Sequence, residues 1–293
     1  MSNSIAIVGD RFMLPSVFAE HIRIACGNGV DIRTLEQPWP DEPMEHGYAG
    51  SKLDGLKEFM GQPDEIIDFI GDAGLLVTHL APISRSMLAR LPKLKFIAVS
   101  RGGPVNIDMQ AARDHNVLVV NTPGRNASAV AEFTVGAILA ETRLIRSGHE
   151  ALRGGEWRGD LYRADRTGRE LGEMTVGIVG YGVIGRYMAD LARAFGMRVL
   201  ASDPYKTIDE EAVEQVSFEA LLAEADFVIC LVVATDETEN LMNAAAFARM
   251  KPSAYFVNLS RGNLVDEAAL AAALEAGRLA GAAMDVGRAP DQM

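Results

Sequence analysis

The chain of 293 residues is predicted to be an α/β protein with two domains. In both halves, short apolar runs rich in β-branched residues alternate with stretches of helical periodicity, a pattern typical of parallel sheets flanked by helices. Near the middle, Asn121-Thr-Pro-Gly124 ends a strand, and a long helical pattern follows. The length is sufficient for two hydrophobic cores. We therefore expect domains over residues 1–121 and 122–293.

The first half carries five predicted strands, with helices and one loop between them. The strands are expected at 5–8, 30–34, 74–78, 95–100 and 117–120. Helices are expected at 16–26, 86–91 and 107–115, and residues 37–50, rich in proline and acid, are expected to form a surface loop.

One long helix over residues 126–147, ended by Gly148, is predicted to open the second half. An apolar stripe on it indicates a core face: Val130, Phe133, Ala137, Ile138 and Leu144. Further strands are predicted at 174–179, 198–202, 227–232, 254–259 and 279–284, with helices at 218–224, 244–250 and 267–276.

A glycine motif follows the strand at 174–179 and begins a helix. Its sequence is Gly180-Tyr-Gly182-Val-Ile-Gly185, in the strand, turn, helix and strand context of a dinucleotide fingerprint. The first glycine permits the tight turn, the second lets the backbone approach a pyrophosphate, and the third lets the helix pack on the strand. An ordinary structural turn is the weaker interpretation.

Asp203 ends the next strand and completes this fingerprint. An acid there accepts hydrogen bonds from the ribose hydroxyls and repels a 2′-phosphate. The motif therefore predicts a site for NAD rather than NADP.

Composition limits the other classes of function. The net charge of −12 argues against a nucleic-acid or anionic-membrane partner. We expect a cytoplasmic protein, because no apolar run is long enough to span a bilayer and the N-terminus lacks the basic region of a signal peptide. Cys26 and Cys230 have no metal-ligand spacing and are expected to be reduced core residues, so no metal site is predicted.

Five motifs together resemble the D-isomer-specific 2-hydroxyacid dehydrogenases. They are SRGGPVNID (100–108), NTPGRNASAVAEFT (121–134), GIVGYGVIG (177–185), NLSRGNLVDEAAL (258–270) and GAAMDV (281–286). The resemblance implies a flavodoxin-like substrate domain followed by a doubly wound NAD-binding domain. It further implies an oxidoreductase that transfers a hydride between NAD(H) and a small anionic 2-oxo or 2-hydroxy acid, in a cleft between the domains.

Arg261 is the predicted catalytic residue. It follows the strand at 254–259, at the carboxyl edge where α/β sheets place ligands, and a guanidinium there can bind a carboxylate and polarise a 2-oxo group. From the residue alone, a surface arginine is equally plausible, but the family's catalytic arginine occupies this motif. The resemblance also places Asp285, after the next strand, near the nicotinamide. The predicted cofactor-binding residues are Gly180, Gly182, Val183, Ile184, Gly185, Asp203, Leu259 and Asp285.

The predicted substrate-binding residues lie in the first domain. Arg101, Gly102 and Gly103 follow the strand at 95–100, and paired glycines leave backbone N–H groups free to bind a carboxylate. A plain tight turn is the alternative interpretation. His79 follows the strand at 74–78 and is a candidate substrate contact, although an ordinary turn histidine is the favoured interpretation. The resemblance also implies a homodimer through helix 126–147 and Trp157.

The family pattern changes at the C-terminal end. Pro290 stands at the position of the family's glutamate, Asp291 is next to it, and no histidine follows Asp285 to donate a proton. We expect the histidine, and the family's return segment to the first domain, to lie beyond Met293; a truncated chain and a protein without this acid are the alternatives. The rival functions are a phosphoglycerate or sugar-acid dehydrogenase of the same fold and a non-catalytic NAD(H)-sensing protein.

Overall fold

The computed structural model describes residues 4–38, 53 and 55–288. The chain divides into two compact units, Met1–Arg125 and Asn126–Met293, called here the N-unit and the C-unit. Each contains one parallel sheet with helices, so the predicted α/β class is confirmed. Among the described residues, no helix has the length and apolar character needed to cross a bilayer.

The N-unit contains a five-stranded parallel sheet in the order β2-β1-β3-β4-β5, the order of flavodoxin-like folds. Its strands are β1 (Ser4–Asp10), β2 (Asp31–Gln37), β3 (Leu75–Thr78), β4 (Phe96–Val99) and β5 (Leu118–Asn121). Its helices are α1 (Pro15–Cys26), α2 (Pro63–Ile70), α3 (Arg85–Ala89) and α4 (Met109–Asp114). The flavodoxin-like architecture predicted for this half is confirmed.

Strand β1 is buried along its whole length because helices cover both faces of the sheet. Its alternate residues belong to two different cores. Ile7 packs in a cluster with Ala19 of α1, whereas Val8 packs in a cluster with Ile66 of α2. This two-sided burial explains the continuous apolar sequence of the strand.

The C-unit contains a six-stranded parallel sheet in the order β11-β10-β9-β6-β7-β8. Counted within the unit, this is the doubly wound order of dinucleotide-binding domains. Its strands are β6 (Thr175–Val179), β7 (Arg198–Ser202), β8 (Glu214–Gln215), β9 (Phe227–Cys230), β10 (Tyr255–Asn258) and β11 (Gly281–Met284). Its helices are α5 (Ala127–Thr142), α6 (Ile145–Arg153), α7 (Val183–Ala194), α8 (Phe218–Glu224), α9 (Ala244–Arg249) and α10 (Glu267–Glu275).

The prediction of one helix over residues 126–147 was wrong. The chain breaks between α5 and α6 at Leu144, whose φ of 55° is left-handed. The predicted apolar stripe was also wrong in part: Ile138 is buried, but Phe133 is exposed. The face of α5 that is buried instead carries mostly small residues, which lets α5 pack closely on α7. That face comprises Ala127, Ala131, Thr134, Ile138 and Thr142.

Other predictions differ in detail. Helix α2 was not predicted, although Pro63 stands at its first turn and acids follow it. Cys26 is exposed rather than in the core, whereas Cys230 is buried, and this burial raises the pKa of its thiol to about 12. Most of the loop predicted at 37–50, together with Pro290 and Asp291, lies outside the described residues.

Candidate functional site

The glycine turn of the C-unit has no room for side chains at two positions. Gly180 follows β6 with a φ of 93°, and a Cβ there would lie 2.8 Å from the backbone nitrogen of Val232. A Cβ on Gly185 would lie 2.6 Å from the carbonyl oxygen of Gly180. Both glycines are therefore required by the turn and by its packing against the neighbouring strand.

Gly182 differs from these two glycines because it faces open space. Nothing lies within 4 Å of its Cβ position, and it caps the N-terminus of α7. The first N–H groups of a helix have no intrahelical partner, so the turn presents donors beside an open cradle. Val183 is exposed here and Ile184 is half-buried. A pyrophosphate fits this cradle, and a Cβ at Gly182 would project into it.

Asp203 is fixed by the backbone at the end of β7. Its two carboxylate oxygens accept hydrogen bonds from the N–H groups of Tyr181 and Tyr205, each at 3.0 Å. The Tyr181 hydroxyl donates in turn to Glu210 at 2.7 Å, and burial and this carboxylate raise the pKa of the tyrosine. Each Asp203 oxygen keeps a lone pair for a ribose hydroxyl.

The turn that carries Arg261 is held by the buried side chain of Asn258. The Asn258 amide donates to the carbonyl of Arg261 at 2.9 Å, and its oxygen accepts from the N–H of Ser260 at 3.1 Å. Arg261 is exposed, and it donates to the carbonyl of Ser260 at 2.8 Å. The sequence motif contained Asn258, but its positioning role was missed, since an asparagine ending a strand is most often an ordinary turn residue.

Asp285 lies at the same edge of the sheet as the Arg261 turn. Strands β10 and β11 are adjacent, with Asn258 paired to Met284, and the N–H of Asp285 donates to the carbonyl of Asn258 at 3.1 Å. The side chain of Asp285 is exposed and lines a cavity of about 350 Å³. The side chain of Leu259 is buried in the core, so only its backbone is placed to contact a cofactor.

Arg288 is a second residue that the sequence interpretation missed. It donates from Nε to the carbonyl of Val265 at 3.1 Å and from Nη2 to the carbonyl of Asn263 at 3.0 Å. Its side chain also hydrogen bonds Asn240. These contacts attach the chain after β11 to the turn that follows Arg261. No pattern in the sequence indicated them, because the bonded groups are mainly carbonyls.

In the N-unit, the predicted substrate loop follows β4. The Arg101 side chain is buried, and it donates to the carbonyl of Glu58 at 2.9 Å and pairs with the Glu58 carboxylate. Its guanidinium is therefore already engaged by an acid. Gly102 and Gly103 are exposed residues, and neither N–H group donates to another group in the described part of the chain. Binding of a substrate carboxylate by this loop therefore stays a prediction, and it would use the backbone amides rather than the Arg101 side chain.

His79 is buried and lies in a polar cluster, unlike an ordinary turn histidine, which is exposed and makes few contacts. Its Nδ1 lies 2.7 Å from Oδ2 of Asp10, and its Nε2 lies 3.4 Å from Nη2 of Arg125. The ring of Phe12 stacks on His79, with centroids 5.3 Å apart. Burial opposes the ionisation of Asp10, but hydrogen bonds from His79 and from the backbone of Met13 and Phe12 hold its pKa below the ordinary value.

The residues of this cluster were not joined by the sequence. Asp10 ends β1, His79 follows β3, and Arg125 lies beyond β5. Their only sequence signal is that each lies at or soon after the carboxyl end of a parallel strand. Across the residues that the structure describes, no group of three His, Cys, Asp or Glu residues is arranged to hold a metal ion.

The comparison with protein families identifies the C-unit. The family model described as the NAD-binding domain of the D-isomer specific 2-hydroxyacid dehydrogenases matches residues 135–291, more than half of the chain. The matched region contains the glycine turn, Asp203, the Arg261 turn and Asp285. The predicted family and NAD-binding domain are thereby confirmed.

Curated relatives and solved structures agree with this match. A hydroxypyruvate reductase of Thermotoga maritima is 34% identical over 226 residues, which cover 77% of this chain and 72% of the relative. A D-3-phosphoglycerate dehydrogenase of Mycobacterium tuberculosis is 34% identical over 290 residues, 98% of this chain and 49% of the relative. The chain thus spans about half the length of this relative. An NAD-complexed D-isomer specific 2-hydroxyacid dehydrogenase from Lactobacillus delbrueckii is similar in structure, with a TM-score of 0.74, 25% identity, and coverage of 97% and 79% of the two chains.

Proposed function

Because the chain belongs to the D-isomer specific 2-hydroxyacid dehydrogenase family, we propose that it transfers a hydride between NAD(H) and a 2-oxo or 2-hydroxy acid. The observation that carries this proposal is the pairing of two features at one edge of the C-unit sheet. The glycine turn and Asp203 form a cofactor cradle, and Arg261 stands at the end of β10 with its turn fixed by Asn258.

The residues of the chain have separate tasks in this proposal. NADH, when bound, supplies the hydride. The first amides of α7 hold the pyrophosphate, and Asp203 accepts from the ribose hydroxyls. The guanidinium of Arg261 polarises the 2-oxo group and stabilises the negative charge that develops on its oxygen as hydride arrives. The amides of Gly102 and Gly103 bind the substrate carboxylate.

Replacement of Arg261 by alanine tests the proposal. We expect R261A to lower kcat/KM for 2-oxo acid reduction by about 10³-fold, because a charged transition-state donor is lost. The dissociation constant for NADH, measured by its fluorescence, should remain unchanged. R278A, at an exposed arginine of the same unit, is the matched control and should retain full activity. Undiminished turnover by R261A would remove this residue from the mechanism.

A homodimer in the cytoplasm is the proposed state of the protein. Several large apolar side chains of the C-unit are exposed, and an aromatic and aliphatic surface of this kind is typical of a protein interface. Helix α6 has no buried residue at all among its nine. The exposed side chains are Phe133, Ile145, Leu152, Trp157 and Tyr162. The family resemblance supplies the partner, which is a second copy of the chain.

Sedimentation velocity tests the dimer. The double variant F133D/W157D should sediment as a monomer at concentrations at which the unaltered protein is a dimer, because each protomer would bring two charges into the interface and these would be desolvated. I24D, which alters an exposed isoleucine of the N-unit, is the control and should remain dimeric. A monomeric unaltered protein would refute the dimer without affecting the catalytic proposal.

A further inference from the structure

The cluster at the carboxyl edge of the N-unit sheet contains a cation to which the proposed reaction gives no task. Arg125 is exposed and lies with its guanidinium carbon 5.4 Å from the centre of the Phe12 ring. It also contacts the sulfur of Met13 at 3.7 Å and Nε2 of His79 at 3.4 Å. The guanidinium is therefore held from three sides by the loops after β1 and β3.

His79 links Arg125 to Asp10. Its Nδ1 lies 2.7 Å from Oδ2 of Asp10, and its Nε2 lies 3.4 Å from Nη2 of Arg125. The Asp10 carboxylate can only accept, so Nδ1 of His79 donates to it. The imidazole therefore lies between the carboxylate and the guanidinium, and the pair helps to position Arg125.

Within the part of the chain that the structure describes, Arg125 has no carboxylate in direct contact with it. No carboxylate oxygen of the described residues lies within 4.0 Å of its guanidinium, whereas the nearby Arg101 is paired with Glu58. Partial burial and the repulsion of Arg101 lower the pKa of Arg125, and the charge of Asp10 offsets this only in part. An arginine held rigidly beside another cation, with no acid of its own, gains stability when an anion binds.

Arg125 also lies next to the loop proposed to bind the substrate carboxylate. The N–H of Thr122 donates to the carbonyl of Arg101 at 2.9 Å, and a Cβ on Gly102 would lie 3.8 Å from Cα of Pro123. The segment 122–125 therefore runs directly beside the Gly102–Gly103 amides. Adjacent loops therefore present two kinds of hydrogen-bond donor to an anion, namely backbone amides and a guanidinium.

We propose that Arg125, positioned by Phe12 and the His79–Asp10 pair, binds a second anionic group of the substrate. This proposal rests on the proposed function, and it narrows the substrate class from 2-oxo acids in general to those with a second acidic group. A phosphate and a carboxylate both present two neighbouring acceptor oxygens, which a guanidinium can bind through two parallel hydrogen bonds. Phe12 gives Arg125 a flat apolar support, and His79 holds one of its N–H groups, so the remaining donors are directed to the ligand.

Equilibrium binding of unreactive anions tests the subsite independently of turnover. Titration calorimetry with the NADH-loaded protein would compare 2-phosphoglycolate and malonate, which carry two anionic groups, with acetate, which carries one. R125M should weaken 2-phosphoglycolate or malonate by at least about 10-fold and acetate by less than about 2-fold. R125K should give an intermediate loss, because it keeps the charge but not the fork of donors. R113Q, at an arginine of α4 bonded to Gln110, is the control and should match the unaltered protein.

Comparison of 2-phosphoglycolate with malonate also identifies the second anionic group that Arg125 binds. A larger R125M effect on 2-phosphoglycolate assigns a phosphate, and a larger effect on malonate assigns a carboxylate. An equal loss for all three ligands would mean that Arg125 binds the shared carboxylate, and no loss for any would mean that it binds no anion; either result overturns the proposal. If the selective loss is seen but no 2-oxo acid is reduced, the subsite stands and the proposed function fails.

Discussion

The candidate ligand sites at the carboxyl edges of the two sheets are built in opposite ways. In the C-unit, the cradle is made by the absence of side chains: Gly180 and Gly185 leave no room for a Cβ, and Gly182 opens onto free space. In the N-unit, the edge is filled by side chains that hold one another, as His79 does with Asp10 and Arg125.

This difference matches what each unit is proposed to recognise. A dinucleotide is the same molecule in every member of a family, and backbone amides with one acid are sufficient to bind its constant parts. Substrates vary, and charged side chains on loops can change without disturbing the sheet that carries them. The proposed C-unit site therefore depends mainly on backbone geometry, whereas the proposed N-unit site combines backbone amides with charged side chains.

Among the substitutions that test this contrast, the largest loss of ligand affinity is expected at Gly182. Its backbone is extended, with a φ of −84°, so valine can be accommodated without strain. The valine side chain would fill the space for the pyrophosphate, and we expect G182V to weaken NADH binding at least about 100-fold while thermal stability is retained. Fluorescence titration measures the first and a thermal melt the second. G136A, at a glycine of α5 that also faces open space, is the control.

The corresponding change in the N-unit is G103V. Nothing lies within 4 Å of the Cβ position of Gly103, and a valine there would cover the exposed amides of the loop. We expect KM for a 2-oxo acid to rise about 10- to 100-fold with an unchanged NADH dissociation constant. G29V, at an exposed glycine of the same unit, should behave like the unaltered protein. A loss of NADH affinity in G103V would contradict the proposal that the C-unit binds the cofactor and the N-unit binds the substrate.

A smaller effect is expected at Asp203, where the C-unit relies on a side chain. D203A should weaken NADH binding about 10-fold and should narrow the preference for NADH over NADPH, since the repulsion of a 2′-phosphate is removed. D203N removes the charge and keeps an acceptor for only one of the two N–H groups, that of Tyr181 or that of Tyr205, whereas D203A removes both acceptors. The affinities of D203A and D203N for NADH and for NADPH test this prediction. An unchanged preference would exclude Asp203 as the discriminating group.

The smallest effect concerns a charge that stabilises the C-unit at the amino end of its strands, whereas the candidate cofactor site lies at their carboxyl ends. Buried Asp226 accepts from the Thr175 N–H at 2.8 Å, from Arg169 and from Lys251 at 3.1 Å. Burial opposes its ionisation, yet these bonds hold its pKa below the ordinary value. Because the pKa is lower in the folded state, its stabilisation is present above about pH 4 and is lost as the pH falls through the folded pKa.

D226N should therefore lower the free energy of unfolding by about 1–3 kcal/mol at neutral pH and flatten its decline below pH 4. Urea unfolding at several pH values measures both. D165N, at an exposed aspartate paired with Arg163, should change stability by less than about 0.5 kcal/mol. NADH affinity should be unaffected in both variants. An equal loss of unfolding free energy in D226N and D165N would show that the burial of Asp226 does not increase its contribution to stability.

The fold could be predicted largely from the sequence because parallel strands are buried on both faces and read as apolar runs. The exceptions have local causes. Leu144 adopts a left-handed conformation with no glycine or proline to indicate it, so two helices were predicted as one. The exposure of Phe133 could not be read from periodicity, since both faces of α5 are apolar and only the packing on α7 selects the alanine face.

The sequence indicates the glycine turn of the C-unit but not the side-chain cluster of the N-unit. Gly180, Gly182 and Gly185 lie within six residues of sequence, from the turn after β6 into the first turn of α7, so their spacing alone indicates the geometry. His79 lies 69 residues from Asp10 and 46 from Arg125 in sequence, and only the parallel order of β1, β3, β4 and β5 brings them together. Arg101 was predicted as a ligand of the substrate, but the sequence could not show that Glu58 already pairs with it.

The most direct test of the central claim is to follow NADH oxidation by the purified protein with a panel of 2-oxo acids and to identify the product by chiral chromatography. We predict that NADH is consumed in equal amount to a single enantiomer of the 2-hydroxy acid, the D form, and that R261A slows both changes by about 10³-fold while still binding NADH. NADH that binds but is never oxidised by any member of the panel would contradict the claim, and the protein would then be a dinucleotide-binding protein without dehydrogenase activity.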